Sequence, residues 1–377
     1  MDAAARGGWL GFDPASEAAV EAAEHRLGSR LPPSLREFLL VTDGWKNAGN
    51  FVHQLAGTAE LAWLRDTEEA HWIKAYAGLA GEDPDGGDEP GYPVLKRSLR
   101  LSTSADSAVV VLDPGDVGPD GEWAAYFLAS WTGTGPERHG SFADLMQHLY
   151  ARFHALRRPP GRTRDRWEEQ VEQARRAALA GEVDGPAAVF ERAQQFGVDR
   201  ARLLRFQQRA MQGDWYTVQL AHLVAAAGPG VDLTQDPFFV AELLPLLFVE
   251  ERLSHTRRRF TLGWLDQRSH PRTRQAVAEY GHQLEDPAFR PPLGNPEFDR
   301  AVRAVLDRLP DTHIRQQRDP HWQARLDAAW PELRAAIALW RPVDDNHIAP
   351  VVLFAEPILA QIITPERGRE ILATPRG

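Results

Sequence analysis

The chain has 377 residues, 43 % of them apolar and 25 % charged, and no cysteine. That length predicts two domains with enough apolar material for separate cores. The lack of cysteine excludes disulfides, thiolate nucleophiles, CxxC redox pairs and cysteine-based zinc or iron–sulfur centres. The net charge of −10 is unevenly placed, with 23 acidic against 12 basic side chains over residues 1–155 and 30 against 31 in the rest. A general nucleic-acid binder needs clustered Lys and Arg, so the balance argues against nucleic acid as a partner. The longest apolar stretch, 238–249, contains Glu242 and Pro245 and is too short to span a bilayer. No basic n-region followed by an apolar h-region opens the chain. The expectation is a soluble, cytoplasmic protein with no membrane association.

In chain order, Pro14 to Gly28 predicts a helix, with Ser16 as its N-cap, Val20, Ala23 and Leu27 on one face, and Gly28 as its stop. A second helix is expected from Ser34 to Thr42, presenting Leu35, Phe38 and Leu39 inward and ending at Asp43-Gly44 before Trp45. Residues 51–55 alternate like a half-buried strand, and 58–77 hold one or two helices. Residues 81–91 are an acidic loop carrying Glu82, Asp83, Asp85, Asp88 and Glu89. The apolar run 108–112 predicts a buried strand. Turns are expected from Asp113-Pro114-Gly115 to Asp120-Gly121, and 122–128 alternate as the next strand. A loop at Gly133-Thr134-Gly135 then leads to a helix capped by Ser141 and carrying Phe142, Leu145, Leu149 and Phe153. Helices around an antiparallel meander define an α+β domain.

Residues 157–166, with five Arg, two Pro and a Gly, read as a linker. Beyond it the only strand candidate is 351–354. In Asp236-Pro237, Asn295-Pro296, Asp319-Pro320 and Thr364-Pro365 a capping side chain precedes a proline at the first helical position. The C-terminal part is therefore expected to be mainly α-helical. Ala178-x-x-Gly181 and Ala210-x-x-Gly213 recur at a 32-residue offset, with Gly197 and Gly228 as ends of the paired helices. That spacing suits either tetratricopeptide-like units at the start of the helical part or a non-repeating bundle.

The segment Glu21-x-x-Glu24-x-x-Leu27-Gly28-x-x-Leu31-Pro32-Pro33-Ser34-Leu35-Arg36-Glu37-Phe38-Leu39, continuing to Thr42-Asp43-Gly44-Trp45, resembles the opening of a Smi1/Knr4 (SUKH) domain. The run 108–114, then Gly121-Glu122-Trp123 to Leu128, and Ser141-Phe142 with Leu145 resemble its later strands and closing helix. The resemblance spans about residues 8–156 and implies an antiparallel sheet flanked by helices. The expected organisation is a SUKH-like domain over 1–156, the Arg/Pro-rich linker 157–166 and an α-helical domain over 167–377. The opening motif itself reads as structural: Gly28 stops a helix, the prolines stiffen the next entry, and Phe38 and Leu39 are core. The family is not known for catalysis. Many bacterial members resemble immunity proteins that block a toxin, often a nuclease, and fungal relatives act as interaction hubs.

Enzyme signatures are missing: there is no GxxxxGK[ST], no GxGxxG after a strand, no HExxH and no GxSxG. Glu251 and His255 stand four apart, which suits metal ligation but also a solvated salt-bridged helix face. Asp344-Asp345-Asn346-His347 is oxygen-rich, which suits a cation, but an Asx-capped turn is the better explanation. Arg257-Arg258-Arg259 with Phe260 and Trp264 pairs equally well with Glu250 and Glu251 as with phosphates. No catalytic residue, cofactor or metal site is therefore expected. The five carboxylates at 82–89 repel one another and must be exposed. They either solubilise the chain or steer a basic partner. Asp113, Asp116, Asp120 and Glu122 from the neighbouring turns would extend that surface, and Trp45 and Trp131 in neighbouring loops would anchor the partner. The leading expectation is a non-catalytic protein that neutralises a basic, nuclease-like toxin. A scaffold using its helical domain as a second binding surface is the alternative, and an uncharacterised enzyme ranks third.

Overall fold

Helix α1 (Glu17–Leu27) begins where Ser16 accepts the Ala19 N–H on its side-chain oxygen, at 3.2 Å. It stops at Gly28, whose φ of 69° lets its N–H reach back to the carbonyls of Glu24 and His25. Helix α2 (Pro33–Val41) has no cap from its own N-terminal side chains. Instead Glu122, 88 residues on, accepts the Ser34 N–H and the Ser34 hydroxyl on its two carboxylate oxygens, each at 2.7 Å. A carboxylate at a helix N-terminus satisfies free N–H groups and meets the positive end of the helix dipole. The computed structural model describes residues 8–79, 91–133, 135–214, 223, 230–253, 262–263, 265, 269–309 and 320–376. The chain divides into two units, 1–159 and 160–377.

The N-terminal unit is α+β. Strands β1 (Trp45–Lys46), β2 (Val52–Leu55) and β5 (Ser102–Ala105) form an antiparallel three-stranded sheet in the order β1-β2-β5. Strands β3 (Ala62–Trp63), β4 (Leu99–Arg100), β6 (Ala108–Val117), β7 (Trp123–Ala129) and β8 (Glu137–His139) form a second, in the order β3-β4-β6-β7-β8. The central pair β6–β7 is apolar on both faces, which explains why 108–112 reads as an unbroken run rather than an alternation. Val110, Leu112, Ala125 and Phe127 join one core with Leu35 and Leu39 of α2 and Leu145 and Leu149 of α5 (Phe142–Arg157). Val109, Val111, Tyr126 and Leu128 join the other, with Leu64 and with Val94 and Leu95 of α4 (Gly91–Arg97). Helix α3 (His71–Leu79) supplies Trp72, Ile73 and Tyr76 beside that second core.

Several expectations change in this unit. The turn expected from Asp113 remains strand to Val117, with the pairing register broken between those residues. A break of this kind accommodates Pro114, which cannot donate to the ladder. Residues 58–77 hold a short strand, two 3₁₀ turns (Leu64–Asp66 and Glu68–Ala70) and the start of α3. Strand β8 follows the Gly133 loop, and Phe153 on α5 is 37 % exposed rather than core. The Ser141 cap is as expected, accepting the Asp144 N–H at 3.1 Å.

The C-terminal unit is helical throughout its described residues. Helix α6 (Arg162–Leu179) starts inside the stretch expected as linker. Helices α7 (Asp184–Gln195) and α8 (Asp199–Met211) pack with it around Val171, Ala178, Phe190 and Leu204. A π-turn at Phe239–Leu243 leads into α9 (Leu244–Leu253). Then come α10 (Pro271–Gln283), α11 (Pro296–Leu306), α12 (Trp322–Ala336), α13 (Pro357–Ile362) and α14 (Pro365–Leu372). Residues 351–355 are a buried 3₁₀ turn, not a strand. A short apolar run has no period that separates the two.

Gly181 (φ 100°) lies against the Ala373 carbonyl, and Gly213 (φ 81°) against Pro365. Both equivalent glycines of the 32-residue offset thus meet the C-terminal end of the chain. Gly228 and Asp319 lie outside the described residues. Of the proline steps, Thr364 accepts the Arg367 N–H and Asp236 accepts the N–H groups of Phe238 and Phe239. The Asn295 side chain instead accepts from Arg341 N–H and donates to Leu339 O, tying α11 to the end of α12.

Candidate functional site

The expected binding residues occupy different environments. Trp45 is half-buried, edge-on to Trp9 at 5.1 Å and 6.4 Å from Phe38, so its indole packs on the core. Trp131 is 43 % exposed. Its ring lies 4.7 Å from Phe51, and the Arg152 guanidinium sits over both Phe51 (5.5 Å) and Phe127 (5.2 Å). Arg152 comes from α5, whose backbone carbonyl at the same residue accepts from the Asn50 side-chain amide. Trp131 is therefore a large surface side chain held in place from below, the arrangement that interface anchors share.

Most carboxylates near the β6–β7 turn already have internal work. Asp113 is fully buried, and Arg97 grips both its oxygens at 2.5 and 2.6 Å. Asp116 accepts from Arg138 at 2.7 and 2.9 Å and from the Tyr126 hydroxyl at 3.0 Å. Chiefly through the Arg138 hydrogen bonds, its carboxyl is held below the usual carboxylate range. Glu122 caps α2. Asp120 is exposed and accepts the Glu122 N–H, closing the turn. Glu82, Asp83, Asp85, Asp88 and Glu89 lie outside the described residues, as do His255, Arg257 to Arg259, Phe260 and Trp264.

The SUKH-like opening motif is engaged in packing throughout. Glu24 accepts the Leu31 N–H at 2.9 Å, and Asp43 accepts both the Thr58 N–H and its hydroxyl. Beside it lies a groove of about 490 Å³ lined by Leu31, Pro33, Arg36, Leu40 and Trp123.

The edge of the five-stranded sheet holds a cluster that reasoning from sequence missed. Glu137 and His139 of β8 meet His148 of α5. Burial lowers the His139 pKa, with the neighbouring His148 adding to the effect, and burial likewise lowers that of His148. The i, i+2 pair on one strand was a signal. Its partner nine residues later, on the far side of a turn, was not.

In the helical unit, Glu242 and His347 are both 0 % exposed, with His347 Nε2 3.1 Å from Glu242 Oε1. His347 Nδ1 accepts the Val343 N–H, so Nε2 carries the proton and faces both Glu242 and the Ala349 carbonyl. Glu242 Oε2 accepts the Val352 N–H at 2.6 Å. Gln207 accepts the N–H groups of Ile348 and Ala349, and Arg376 donates to Ile348 O at 2.7 Å. Burial without a carboxylate partner lowers the Arg376 pKa to about 10. These groups fasten the 346–352 segment into the core, and full burial keeps the Glu–His pair from any substrate. Asp344 accepts the Asn346 N–H at 2.7 Å, the Asx turn expected there, with His347 turned inward rather than toward a cation.

No helix among the described residues is long and apolar enough to cross a membrane. No curated protein and no solved structure gives a significant match to the chain. SUKH domains generally bind protein partners and are generally non-catalytic. Residues 14–148 match the SMI1 / KNR4 family (SUKH-1), and the sheets and flanking helices of the N-terminal unit therefore constitute a SUKH domain.

Proposed function

We propose that this protein acts by binding another protein through its SUKH domain, and that it does so as an immunity-type protein neutralising a basic, nuclease-like toxin in the cytoplasm. The observation that carries the binding reading is Trp131, exposed yet packed on Phe51, whose ring the Arg152 guanidinium covers in turn. A rigid indole loses little side-chain freedom on association and buries a large apolar area. The basic-toxin reading draws on the excess of acidic side chains over residues 1–155. Their field would attract a cationic partner and raise its association rate. Because Asp113, Asp116 and Glu122 are spent internally, the steering charge falls to Asp120 and the 82–89 segment.

The full chain, Trp131→Ala and the triple variant Asp85→Lys/Asp88→Lys/Glu89→Lys are each purified from the native host. Co-purifying protein is identified, and its affinity is measured at low and high salt. Trp131→Ala is expected to weaken binding about 30-fold or more, the loss of a hot-spot residue. The triple variant should slow association and flatten the salt dependence. A partner that binds all three forms alike sinks both parts of the reading. It would move the contact to the helical unit, as a scaffold requires.

A further inference from the structure

Three metal-competent side chains converge at the β8 edge of the SUKH domain. Glu137 and His139 stand two residues apart on β8, hence on one face of the strand, and His148 comes from α5. Glu137 Oε1 lies 3.9 Å from His139 Nε2 and 3.6 Å from His148 Nδ1. Donor atoms of all three lie within 4.8 Å of one another, and the two rings are 4.6 Å apart.

Internal bonding does not account for the cluster. The His139 side chain is nine-tenths buried, and its Nε2 has no hydrogen-bond partner. The Nε2 of His148 is likewise buried and unpartnered. An imidazole nitrogen taken out of water with nothing in return is a cost that native folds normally avoid. Burial also favours the neutral form of both rings, the form that ligates. Two further charges act on the cluster: Asp144 on His139, and Arg152 on His148.

We propose that Glu137, His139 and His148 form a binding site for a divalent transition metal of the zinc type. Two imidazoles and one carboxylate suit zinc, whereas calcium and magnesium favour all-oxygen sets. Zinc bonds of about 2.0–2.1 Å in tetrahedral array place donors roughly 3.4 Å apart. Glu137 stands 3.9 and 3.6 Å from the two imidazoles, within about half an ångström of that spacing, and its side chain is half-exposed. Three protein donors leave a further position for water or for a partner's side chain. A bound ion would also pin β8, a three-residue edge strand, to α5.

The test uses the full chain, stripped with a chelator and titrated with Co²⁺ and then Zn²⁺. The expected result is one Co²⁺ per chain with the visible bands of a low-coordinate site, displaced by Zn²⁺, and a melting temperature raised by either ion. Glu137→Gln and His148→Asn should each weaken binding roughly 100-fold. Because Glu137 is half-exposed, its variant should melt like the parent protein in chelator, which separates lost ligation from misfolding. No stoichiometric Co²⁺ binding, or an affinity unchanged in Glu137→Gln, overturns the assignment.

Discussion

Glu172 on α6 gathers three arginines. Its Oε1 accepts from Arg175 and Arg176 at 2.9 Å each, and its Oε2 accepts from Arg175 at 3.0 Å and Arg200 at 2.7 Å. Arg200 belongs to α8, so the carboxylate ties two helices together. These contacts, the Arg175 hydrogen bonds foremost, push its pKa from 4.5 down to about 2. At 1.36 kcal/mol per unit the shift corresponds to about 3 kcal/mol at most. The carboxylate is a quarter exposed and Arg176 three-quarters, and solvent screening reduces the figure to about 1–2 kcal/mol.

The folded pKa lies below the unfolded one. The contribution is therefore present in full above pH 4.5 and drains away as pH falls toward 2, with about three-fifths gone at pH 3. Urea unfolding of the full chain and of Glu172→Gln, followed by far-UV circular dichroism, should differ by about 1–2 kcal/mol at pH 7 in the transition of the helical unit. By pH 3 the difference should shrink to less than half. A gap that stays constant from pH 7 to pH 3, or one near zero at neutral pH, would show that the arginine cluster is not what lowers this carboxyl.

Gly368→Ala gives an unusual sign. Alanine within a helix ordinarily stabilises by about 1 kcal/mol, but a Cβ here would overlap the Met211 carbonyl oxygen. Forcing α14 off α8 should leave a net loss of about 2 kcal/mol or more in thermal unfolding, and a gain would refute that packing. Glu242→Ala strands the buried Val352 N–H and opens a cavity, while His347 Nε2–H keeps the Ala349 carbonyl, so a loss of about 3 kcal/mol or more is expected from urea denaturation. Asp113→Ala should cost less, about 1–2 kcal/mol. Its partner Arg97 is nearly half exposed and can turn to water. Equal losses for the two would contradict this ranking by solvent access.

Residues near one another in the chain announced much of the SUKH domain. Ser16, Gly28 and Ser141 mark helix ends because a cap is satisfied by backbone groups within four residues. The runs at 108–112 and 122–128 mark strands because burial is written into consecutive side chains. Short strands such as β3, β4 and β8 carry too few residues to show a period. They exist because longer neighbours offer free edges to pair with.

Trp45 and Trp131 look alike in sequence, each read as lying in a loop beside a core element. Only packing separates them, since one indole lies against Trp9 and Phe38 and the other stands out over Phe51. The same holds for acidic residues: Asp113, Asp116 and Glu122 found partners 16, 22 and 88 positions away, distances that no local pattern encodes.

Sequence by itself therefore determined the likeness to a SUKH domain, through its opening motif, and also the helical character of the second unit and the negative balance of the first, because caps, composition and apolar periodicity are local properties. Tertiary structure alone decided which carboxylates retain free charge, which tryptophan reaches solvent, and that Glu137 and His139 meet His148. Each of those depends on where separate elements come to rest, and side-chain contact, desolvation and ion pairing act over only a few ångströms of space however many residues lie between.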